Sequence, residues 1–374
     1  MFKKALFILK NNPSYFFPLI AGLLRRIVLV KTFSRFLYPE LITITVTNRC
    51  NFNCPGCSSN SPLYTRKNGK VKEVSLKDIK KVIDEVAVFK PFIYLNGGEP
   101  TLRDDLVEII KYVKSKKLVC SFTTNGSLLT PDLLEKLVKA KLDFLSVSID
   151  GPKEFHDKIR GFKGAFDRAV SGLESLRLLK NKYKVSYPHV RLASIIYPEN
   201  INNSKYIINL ANNLKVNELG FGFLMYYPEK IIGMQKKFVE KNKTGGEEPI
   251  GLKIDNNYRF NFDEKKYLNF LAYLKKSKIP YFFAYQGNQY KEYFDPGVFP
   301  SNKSVCLTPW NNLLIHPNGD LGVCQGFRFG SIYKSSILKQ WNSEEMVRFR
   351  KKRAQGPFPV CFRCNEGQKI KFDK

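Results

Sequence analysis

The chain has 374 residues and a formal net charge of +29, and 43% of its residues are hydrophobic and 14% aromatic, enough to bury a core. This composition excludes a disordered chain, and the charge indicates an anionic partner such as lipid headgroups, nucleic acid or a phosphorylated substrate. The eight cysteines are spaced for metal ligation and not as a disulfide framework, which predicts a reducing, cytoplasmic compartment.

The first 39 residues contain seven Lys or Arg and no Asp or Glu. Their longest uncharged stretch, residues 11–24, contains two prolines and is too short to span a bilayer, which takes about 20 apolar residues. We therefore predict a basic amphipathic or apolar helical segment over residues 1–39. It is interpreted as an in-plane anchor on the cytoplasmic face of a membrane. Helices packed on the rest of the protein or on a partner chain are the alternative.

From residue 40 the pattern alternates between strand and helix, which predicts an α/β fold with right-handed crossovers. The predicted strands cover residues 41–47, 92–95, 118–123, 144–149, 190–196 and 219–223. The predicted helices cover residues 74–89, 106–116, 131–140, 164–180 and 203–213, the first with Ser75 as its N-cap. These elements predict a partial (β/α)6 TIM-like barrel over residues 40–225. Residues 226–300 are interpreted as a bridging or substrate-facing insertion, and residues 301–374 as a small hairpin and helix domain with its helix at 336–352.

Three cysteines follow the first predicted strand in the spacing C-x3-C-x2-C: Cys50, Cys54 and Cys57. Three thiolates can hold three irons of a cubane cluster and leave the fourth iron open. A reactive metal centre needs such an open position, whereas a structural one is closed. Structural zinc is the alternative, but no histidine lies near these cysteines in the sequence to complete a zinc site.

Polar clusters follow the next three predicted strands: NGGEP at 96–100, TTNG at 123–126 and SVSIDG at 146–151. Barrel enzymes carry their chemistry at the carboxyl ends of the strands, so these clusters are predicted to surround one site. The glycines of NGGEP let the backbone approach a ligand closely, and Glu99 can accept hydrogen bonds from an ammonium group. Asp150 has the alternative role of capping a turn before Gly151.

The combination of CNFNCPGC, NGGEP, TTNG and SVSIDG resembles the radical S-adenosylmethionine (SAM) superfamily over residues 41–225. The resemblance implies a 4Fe–4S cluster on Cys50, Cys54 and Cys57, whose open iron chelates SAM. An electron from the cluster would cleave SAM to methionine and a 5′-deoxyadenosyl radical. The implied cofactor-binding residues are Gly97, Gly98, Glu99, Pro100, Asn125, Ser148, Asp150 and Arg160.

Within that set, the resemblance assigns the methionine ammonium to Glu99 and the carboxylate or ribose of SAM to Ser148 and Arg160. One residue departs from the family pattern. The family usually has an aromatic residue just before the third cysteine, and this chain has Gly56. That change removes a side chain expected near the adenine.

Four further cysteines lie in the last part of the chain. Cys306 and Cys324 flank a predicted hairpin with its turn at Pro317-Asn318-Gly319, and Cys361 and Cys364 follow. The pattern resembles the SPASM domain in its short form, called twitch. The resemblance implies a second, auxiliary 4Fe–4S cluster, fully ligated by the four cysteines and used for electron transfer. Structural zinc on the same four thiols is the alternative.

Two residues near these motifs are interpreted without a functional role. His316, on the predicted hairpin, is interpreted as a surface residue. Cys120, inside an apolar strand, is interpreted as a small core residue.

These patterns predict a radical SAM enzyme that abstracts hydrogen from a small-molecule or lipid-like substrate, such as a lipid or a lipid-linked sugar at a membrane surface. A reducing partner such as ferredoxin or flavodoxin would supply the electron. A peptide-modifying enzyme and an RNA-binding or RNA-modifying protein are the alternatives. No RNA-binding motif is present, so nucleic acid is not the expected partner. No catalytic acid or base is assigned.

Overall fold

The computed structural model describes residues 8–10, 38–55, 57, 73–196, 198–242, 252–255, 260–261, 263–283, 293–295, 305–324, 326–364 and 369–370. The predicted N-terminal segment therefore lies outside the described residues except for 8–10 and 38–39, and so does Gly56. Among the helices that are described, none is both long and apolar enough to cross a bilayer.

One ten-stranded sheet organises the chain, and six parallel strands in chain order form its centre. These strands are β1 (Leu41–Thr47), β2 (Phe92–Gly97), β3 (Val119–Thr124), β4 (Phe144–Ser148), β5 (His189–Ile196) and β6 (Glu218–Phe223). In β3, β4 and β5 buried residues alternate with partly exposed ones, as expected for strands with unlike faces. The predicted partial (β/α)6 barrel is confirmed in this central part.

Helices connect the parallel strands: α1 (Leu76–Val86), α2 (Leu106–Ser115), α3 (Pro131–Lys139), α4 (Lys153–Arg160), α5 (Ala165–Lys182) and α6 (Ser204–Asn213). Ser75 caps α1 as predicted, because its side chain accepts a hydrogen bond from the Asp78 N–H. The sequence patterns did not predict α4. Its only fully buried side chain is His156, so it carries too short an apolar stripe to be recognised by periodicity.

The sheet continues beyond the predicted barrel at both edges. On one side β9 (Tyr281–Phe283) pairs in parallel with β6, so part of the segment interpreted as an insertion joins the main sheet. On the other side β11 (Asn312–Ile315) pairs in parallel with β1 and carries the antiparallel strands β12 (Asp320–Gly322) and β13 (Arg328–Ser331). The predicted hairpin is therefore correct, with Gly319 at its turn in a left-handed conformation, φ 87°.

The remaining elements lie after β6 and around the hairpin. They are β7 (Tyr226–Pro228), α7 (Glu229–Asn242), β8 (Leu252–Ile254), α8 (Glu264–Lys276), β10 (Val305–Cys306), α9 (Thr308–Asn311), α10 (Ile337–Trp341), α11 (Glu344–Gln355) and β14 (Lys369–Ile370). The single helix predicted over residues 336–352 is two helices. Ser343 separates them because its side chain accepts from the Met346 N–H and starts a new helix.

The short described piece of the N-terminal segment lies against the sheet. Ile8 is 4% exposed and packs on Val119, with Phe92 and Phe144 beside them. Phe92, Val119 and Phe144 are the first residues of their strands. Residue 8 therefore contacts the end of the barrel opposite to the carboxyl ends of the strands.

Candidate functional site

The cysteine loop after β1 is held by the glycines that follow β2. The Gly98 N–H donates to the Thr47 carbonyl at 2.9 Å, and the Glu99 N–H donates to the Arg49 carbonyl at 2.7 Å. A Cβ atom on Gly98 would lie 2.2 Å from the Arg49 carbonyl oxygen. Position 98 therefore accepts only glycine at this spacing, because any side chain would displace the backbone that leads into Cys50.

The same loop is fixed from its other side by the segment that follows α4. Phe52 stacks on Phe162, with ring centroids 4.7 Å apart. The Cys54 thiol donates to the Arg160 carbonyl, with 3.6 Å between sulfur and oxygen. Gly161 has a left-handed φ of 59° and lies against the Asn53 backbone. The cysteine loop thus lies between the end of β2 and the segment at the end of α4.

The Glu99 carboxylate links the ends of β2 and β3, although the residue is only 1% exposed. One carboxylate oxygen accepts hydrogen bonds from the Thr101 N–H, the Thr101 hydroxyl and the Thr124 hydroxyl, at 2.6–3.1 Å. The other accepts from the Asn125 N–H at 2.7 Å. Burial raises the pKa of Glu99, and these hydrogen bonds oppose that effect. The Glu99 carboxylate therefore accepts hydrogen bonds from the protein itself, and any ligand would bind in addition to these.

From Glu99 the hydrogen bonds continue into the cysteine loop. The Asn125 amide donates to the Asn51 side-chain oxygen at 2.9 Å, and the Asn51 amide donates to the Ser127 hydroxyl at 2.8 Å. The Ser127 hydroxyl in turn donates to the Asn125 side-chain oxygen at 2.6 Å. Asn51 lies between Cys50 and Cys54, so this closed ring of hydrogen bonds fixes the cysteine loop to the end of β3.

Asp150 and Arg160 form a pair after β4. Asp150 is fully buried and lies 2.7 Å from an Arg160 Nη atom, while its other oxygen accepts from the Ile195 N–H at 2.9 Å. His156 is also fully buried, and its Nδ1 accepts from the Asp150 N–H at 3.2 Å. Burial lowers the pKa of His156 to about 4, so the ring is neutral at pH 7. Asp150 therefore orients the Arg160 guanidinium.

The chemistry of the three thiols fits an iron–sulfur cluster. Burial raises the pKa of the Cys54 thiol, and the Cys57 and Cys50 thiols raise it further, while Arg160 opposes them. Cys50 already accepts a hydrogen bond from the Phe52 N–H, with 3.4 Å between nitrogen and sulfur. A backbone donor of this kind stabilises a thiolate ligand.

The four C-terminal cysteines are also brought together. The pKa of the Cys324 thiol is raised well above its usual value, first by burial and then by the neighbouring Cys306, Cys361 and Cys364 thiols. None of the eight cysteines forms a disulfide. Within the described residues, no three His, Cys, Asp or Glu side chains are arranged to hold a single metal ion. Both a 4Fe–4S cluster and a structural zinc ion take four thiolate ligands, so this donor set fits either group.

Arg363, between Cys361 and Cys364, attaches this site to the end of β6. Its side chain is fully buried, and its guanidinium lies 5.3 Å from the centre of the Tyr226 ring and 5.8 Å from that of Tyr293. The Tyr293 hydroxyl donates to the Leu224 and Arg363 carbonyls at 2.8 and 3.0 Å. Cys324 follows β12, which lies next to β11 and so on the β1 side of the sheet. The four-cysteine site therefore joins the β1 side of the open barrel to its β6 side.

The other predicted residues have simpler positions. Gly97 lies against the Thr47 backbone, Pro100 is buried, and Ser148 is half-buried at the end of β4. Cys120 is a buried core residue, as predicted. The interpretation of His316 as a surface residue is wrong: it is 3% exposed, since the hairpin turn lies against the loop before α1, where Val74 bonds to Pro317.

Sequence reasoning missed the polar residues that support the site. Asn51, Ser127 and His156 were not identified. Asn51 lies inside the cysteine motif and Ser127 directly follows TTNG, so their proximity to the motifs was the available signal. No pattern in the sequence indicated His156, because its contact with Asp150 depends on α4.

Comparison with protein families gives two matches. A model of the radical SAM superfamily matches residues 44–190. A model of the SPASM iron–sulfur cluster-binding domain matches residues 306–365.

Among curated proteins, the chain is 43% identical over 141 residues to the AdoMet-dependent heme synthase of Methanosarcina barkeri, covering 37% of this chain and 39% of that protein. It is 37% identical over 153 residues to the mycofactocin maturase MftC of Mycolicibacterium smegmatis, covering 40% and 37%. The matched stretch thus spans about two fifths of each relative.

Among solved structures, Streptococcus suis SuiB bound to its precursor peptide SuiA aligns with a TM-score of 0.59 and 14% identity, covering 87% of this chain and 70% of that one. The AdoMet-bound protein anSMEcpe aligns with a TM-score of 0.56 and 16% identity, covering 83% and 82%. At these identities the likeness shows a shared fold.

Proposed function

Because this chain is a radical SAM enzyme with a C-terminal SPASM iron–sulfur domain, we propose that it abstracts hydrogen from a peptide substrate and oxidises the carbon radical that results. Its cofactors are SAM, a SAM-binding 4Fe–4S cluster and an auxiliary 4Fe–4S cluster. When bound, the first cluster and SAM supply one-electron cleavage of SAM to methionine and a 5′-deoxyadenosyl radical that takes the hydrogen atom. The electron enters from a reducing partner such as ferredoxin or flavodoxin.

The ligand assignments are part of this proposal. Cys50, Cys54 and Cys57 hold the SAM-binding cluster, since the loop that carries them is fixed by hydrogen bonds to the ends of β2 and β3. Gly97, Gly98, Glu99 and Pro100 lie beside that loop and bind the methionine end of SAM. Arg160, oriented by Asp150 at 2.7 Å, provides a fixed guanidinium for the SAM carboxylate. Ser148 and Asn125 complete the set at the ends of β4 and β3.

Oxidation of a substrate radical releases one electron and one proton. The four thiols of Cys306, Cys324, Cys361 and Cys364 mark the place where this chain can accept that electron. The buried Arg353 lowers the pKa of the Cys324 thiol, against the effects of burial and of the other three thiols, and so places a positive charge near it. A positive charge favours the reduced, more negative form of an electron acceptor.

The relatives that this chain matches favour a peptide substrate. The mycofactocin maturase MftC and a PqqA peptide cyclase of Bradyrhizobium diazoefficiens are among the curated matches, and SuiB shares the fold with a precursor peptide bound. Heme synthases are also among the relatives, so a tetrapyrrole is a competing substrate class.

A lipid or lipid-linked sugar is a further candidate, favoured by the net charge of +29 and the basic N-terminal segment. Against it, Ile8 packs at the end of the barrel opposite to the predicted SAM site. A substrate held in a bilayer at that end would lie far from the cysteine loop. The peptide is therefore preferred.

Deuterium transfer distinguishes these classes. Reduced protein with both clusters would be incubated with SAM and with peptide, tetrapyrrole, lipid and RNA fractions from cells grown on deuterated medium. We expect one deuterium in 5′-deoxyadenosine, measured by mass spectrometry, with the peptide fraction alone. Transfer from the lipid fraction would overturn the peptide proposal, and absence of 5′-deoxyadenosine from fully reduced protein would overturn the radical mechanism.

A further inference from the structure

Five lysines occupy an unusual backbone conformation at one end of the barrel. Among the described residues, the non-glycine residues with left-handed φ are Lys90, Lys117, Lys141, Lys184 and Lys215, with φ between 50° and 58°. Each lies between a helix and the strand that follows it, ahead of β2, β3, β4, β5 and β6 in turn. All five therefore lie at the amino-terminal end of the strands, opposite to the predicted SAM site.

Four of the five occupy the same helix-ending motif. Lys141 is typical: its N–H donates to the Val138 carbonyl at 2.9 Å, and the next N–H, of Leu142, donates to the Leu137 carbonyl at 3.2 Å. This is the Schellman pattern with the left-handed residue at C′. The equivalent pairs of bonds recur at the lysines of three other helix ends, at positions 117, 184 and 215.

Glycine is the usual residue at C′ because it adopts a left-handed φ without steric cost, and asparagine is the next most common. This chain has lysine there at every one of these connections. Attraction between a cation and the helix dipole explains one lysine near a helix end. However, α2, α3 and α5 already carry lysines in their last turns. The C′ lysines are an additional row of charge, kept at positions that disfavour a side chain.

Four of these lysines face solvent: Lys117, Lys141, Lys184 and Lys215 are exposed. Two acidic residues at the starts of strands already pair with other basic side chains, Asp143 with Lys114 at 2.5 Å and Glu218 with Arg191 at 2.9 Å. The exposed lysines therefore add positive charge at this end of a chain whose formal net charge is +29.

Two apolar features lie at the same end. Val88, beside Lys90, is 74% exposed. Ile8, which packs on Val119 at the start of β3, belongs to a sequence whose first 39 residues include seven basic and no acidic ones. Basic side chains beside an exposed apolar group such as Val88 are the chemistry that binds an anionic bilayer surface.

We propose that the amino-terminal end of the barrel, defined by Lys90, Lys117, Lys141, Lys184 and Lys215, docks on an anionic lipid membrane. The carboxyl ends of the strands then face away from the bilayer. The enzyme is held at a membrane while its predicted SAM site opens toward the aqueous side. This docking is independent of the reaction proposed above, since none of the five lysines belongs to the predicted cofactor sites.

The test uses the full chain with reconstituted clusters, and vesicles of phosphatidylcholine with or without phosphatidylglycerol. The variant replaces Lys141, Lys184 and Lys215 by Gly, which removes three charges and relieves their left-handed backbone. The matched control replaces Lys77, Lys205 and Lys265 by Gln. These exposed lysines lie in the first turns of α1, α6 and α8, at the other end of the barrel.

We expect sedimentation with anionic vesicles to weaken about a hundredfold in the Gly variant, because each lysine near the surface contributes about a fivefold step and the three steps multiply. The control should bind like the unchanged protein, and both should cleave SAM in solution at the original rate. Vesicles of pure phosphatidylcholine should bind all three proteins poorly. Added salt should weaken binding to anionic vesicles.

Equal losses in the two triple variants would overturn the proposal, because binding would then follow net charge and not this face. Retention of vesicle binding by the Gly variant would overturn it as well. A Gly variant that loses RNA binding but keeps vesicle binding would also overturn the proposal, because this face would then bind nucleic acid. A variant with Asn at the same three positions, which also tolerates left-handed φ, repeats the test if the Gly variant loses cluster absorbance or thermal stability.

Discussion

Glu99 and His156 are buried titratable residues with different roles beside the candidate SAM site. Glu99 accepts hydrogen bonds from the residues after β2 and β3, so its charge is balanced by fixed donors. His156 stays neutral and fixes the backbone at Asp150, which in turn orients Arg160. At the scale of single residues, His156 therefore positions the site through other side chains, while Glu99 both holds the strand ends together and is proposed to bind SAM.

Replacing Glu99 by Ala should reduce the free energy of unfolding by about 3 kcal/mol, because the Thr124 hydroxyl and the Asn125 N–H lose their buried acceptor. SAM binding should weaken as well, since Asn125 holds the cysteine loop through Asn51. Urea unfolding and equilibrium SAM binding measure the two effects.

Glu108, which is exposed on α2 and paired with Lys111, provides the control, and its change to Ala should alter neither quantity much. If Glu99→Ala loses SAM affinity at unchanged stability, the carboxylate serves the ligand alone.

The stability of the protein should fall on acidification through His156. Its pKa is about 4 in the folded protein against 6.5 for an ordinary histidine. The unfolded chain therefore binds a proton that the folded chain does not, and stability is lost as the pH falls from about 6.5 to about 4. A shift of this size corresponds to roughly 3 kcal/mol at most.

Replacing His156 by Asn keeps an acceptor for the Asp150 N–H and removes the titration. The variant should show a flatter dependence of urea midpoint on pH than the original protein. His316, whose pKa burial also lowers to about 4, remains in both proteins and cancels in the comparison. An unchanged pH dependence would contradict the assignment.

At the scale of elements, the site depends on how closely the loops after β1 and β2 approach each other. Gly97 and Gly98 pack against the backbone of residues 47–49, and two hydrogen bonds join the loops. The buried Arg103 adds a third connection, because one of its Nη atoms donates to the Val46 and Val74 carbonyls at 2.7 and 2.9 Å. The glycines of NGGEP were predicted to allow approach of a ligand, and the structure shows that they also allow approach of the cysteine loop.

Replacing Gly98 by Ala should displace that loop, because the added Cβ would lie 2.2 Å from a carbonyl oxygen. We expect a loss of about 2 kcal/mol in stability and about half of the iron, from the SAM-binding cluster. Gly233 on α7 has nothing within 4 Å of its Cβ position, so Gly233→Ala should be neutral or stabilise by up to about 1 kcal/mol. Full iron content in Gly98→Ala would show that the loop tolerates the shift.

At the scale of the whole molecule, the C-terminal domain completes an open sheet. Its hairpin lies beside β1, while Arg363 and Tyr293 tie its last cysteine pair to the end of β6. The auxiliary site therefore connects segments more than two hundred residues apart in the chain. A cluster bound there would restrain the opening of the barrel in addition to carrying electrons.

Iron analysis tests both sites together. Protein reconstituted anaerobically should contain about eight irons. Changing Cys50, Cys54 and Cys57 to Ala should leave about four, abolish SAM cleavage and preserve the thermal stability of the C-terminal domain. The prediction is contradicted if the unchanged protein contains only about four irons and has zinc on the four C-terminal cysteines. The second site would then be a structural zinc site.

The central barrel, the cysteine motifs and the family resemblance could be predicted from the amino-acid sequence. Each of these depends on short-range pattern: alternation of apolar residues along β5, the cap at Ser75, or the spacing of Cys50, Cys54 and Cys57. Such features are set by neighbours a few residues away, so they are visible in a linear chain. Lys followed by Leu or Val also recurs after successive helices, beginning at residues 117, 141, 184 and 215. This repeat was visible in the sequence, and it was missed.

The contacts of those motifs could not be predicted, because they join residues that are far apart in the chain. The Asn51–Asn125–Ser127 ring joins residues up to 76 positions apart, and the pairing of β11 with β1 joins residues 271 positions apart, as between Leu41 and Asn312. The burial of His316 and the common location of the five left-handed lysines likewise depend on which elements become neighbours. These outcomes follow from packing and strand register over the whole sheet, which no local pattern specifies.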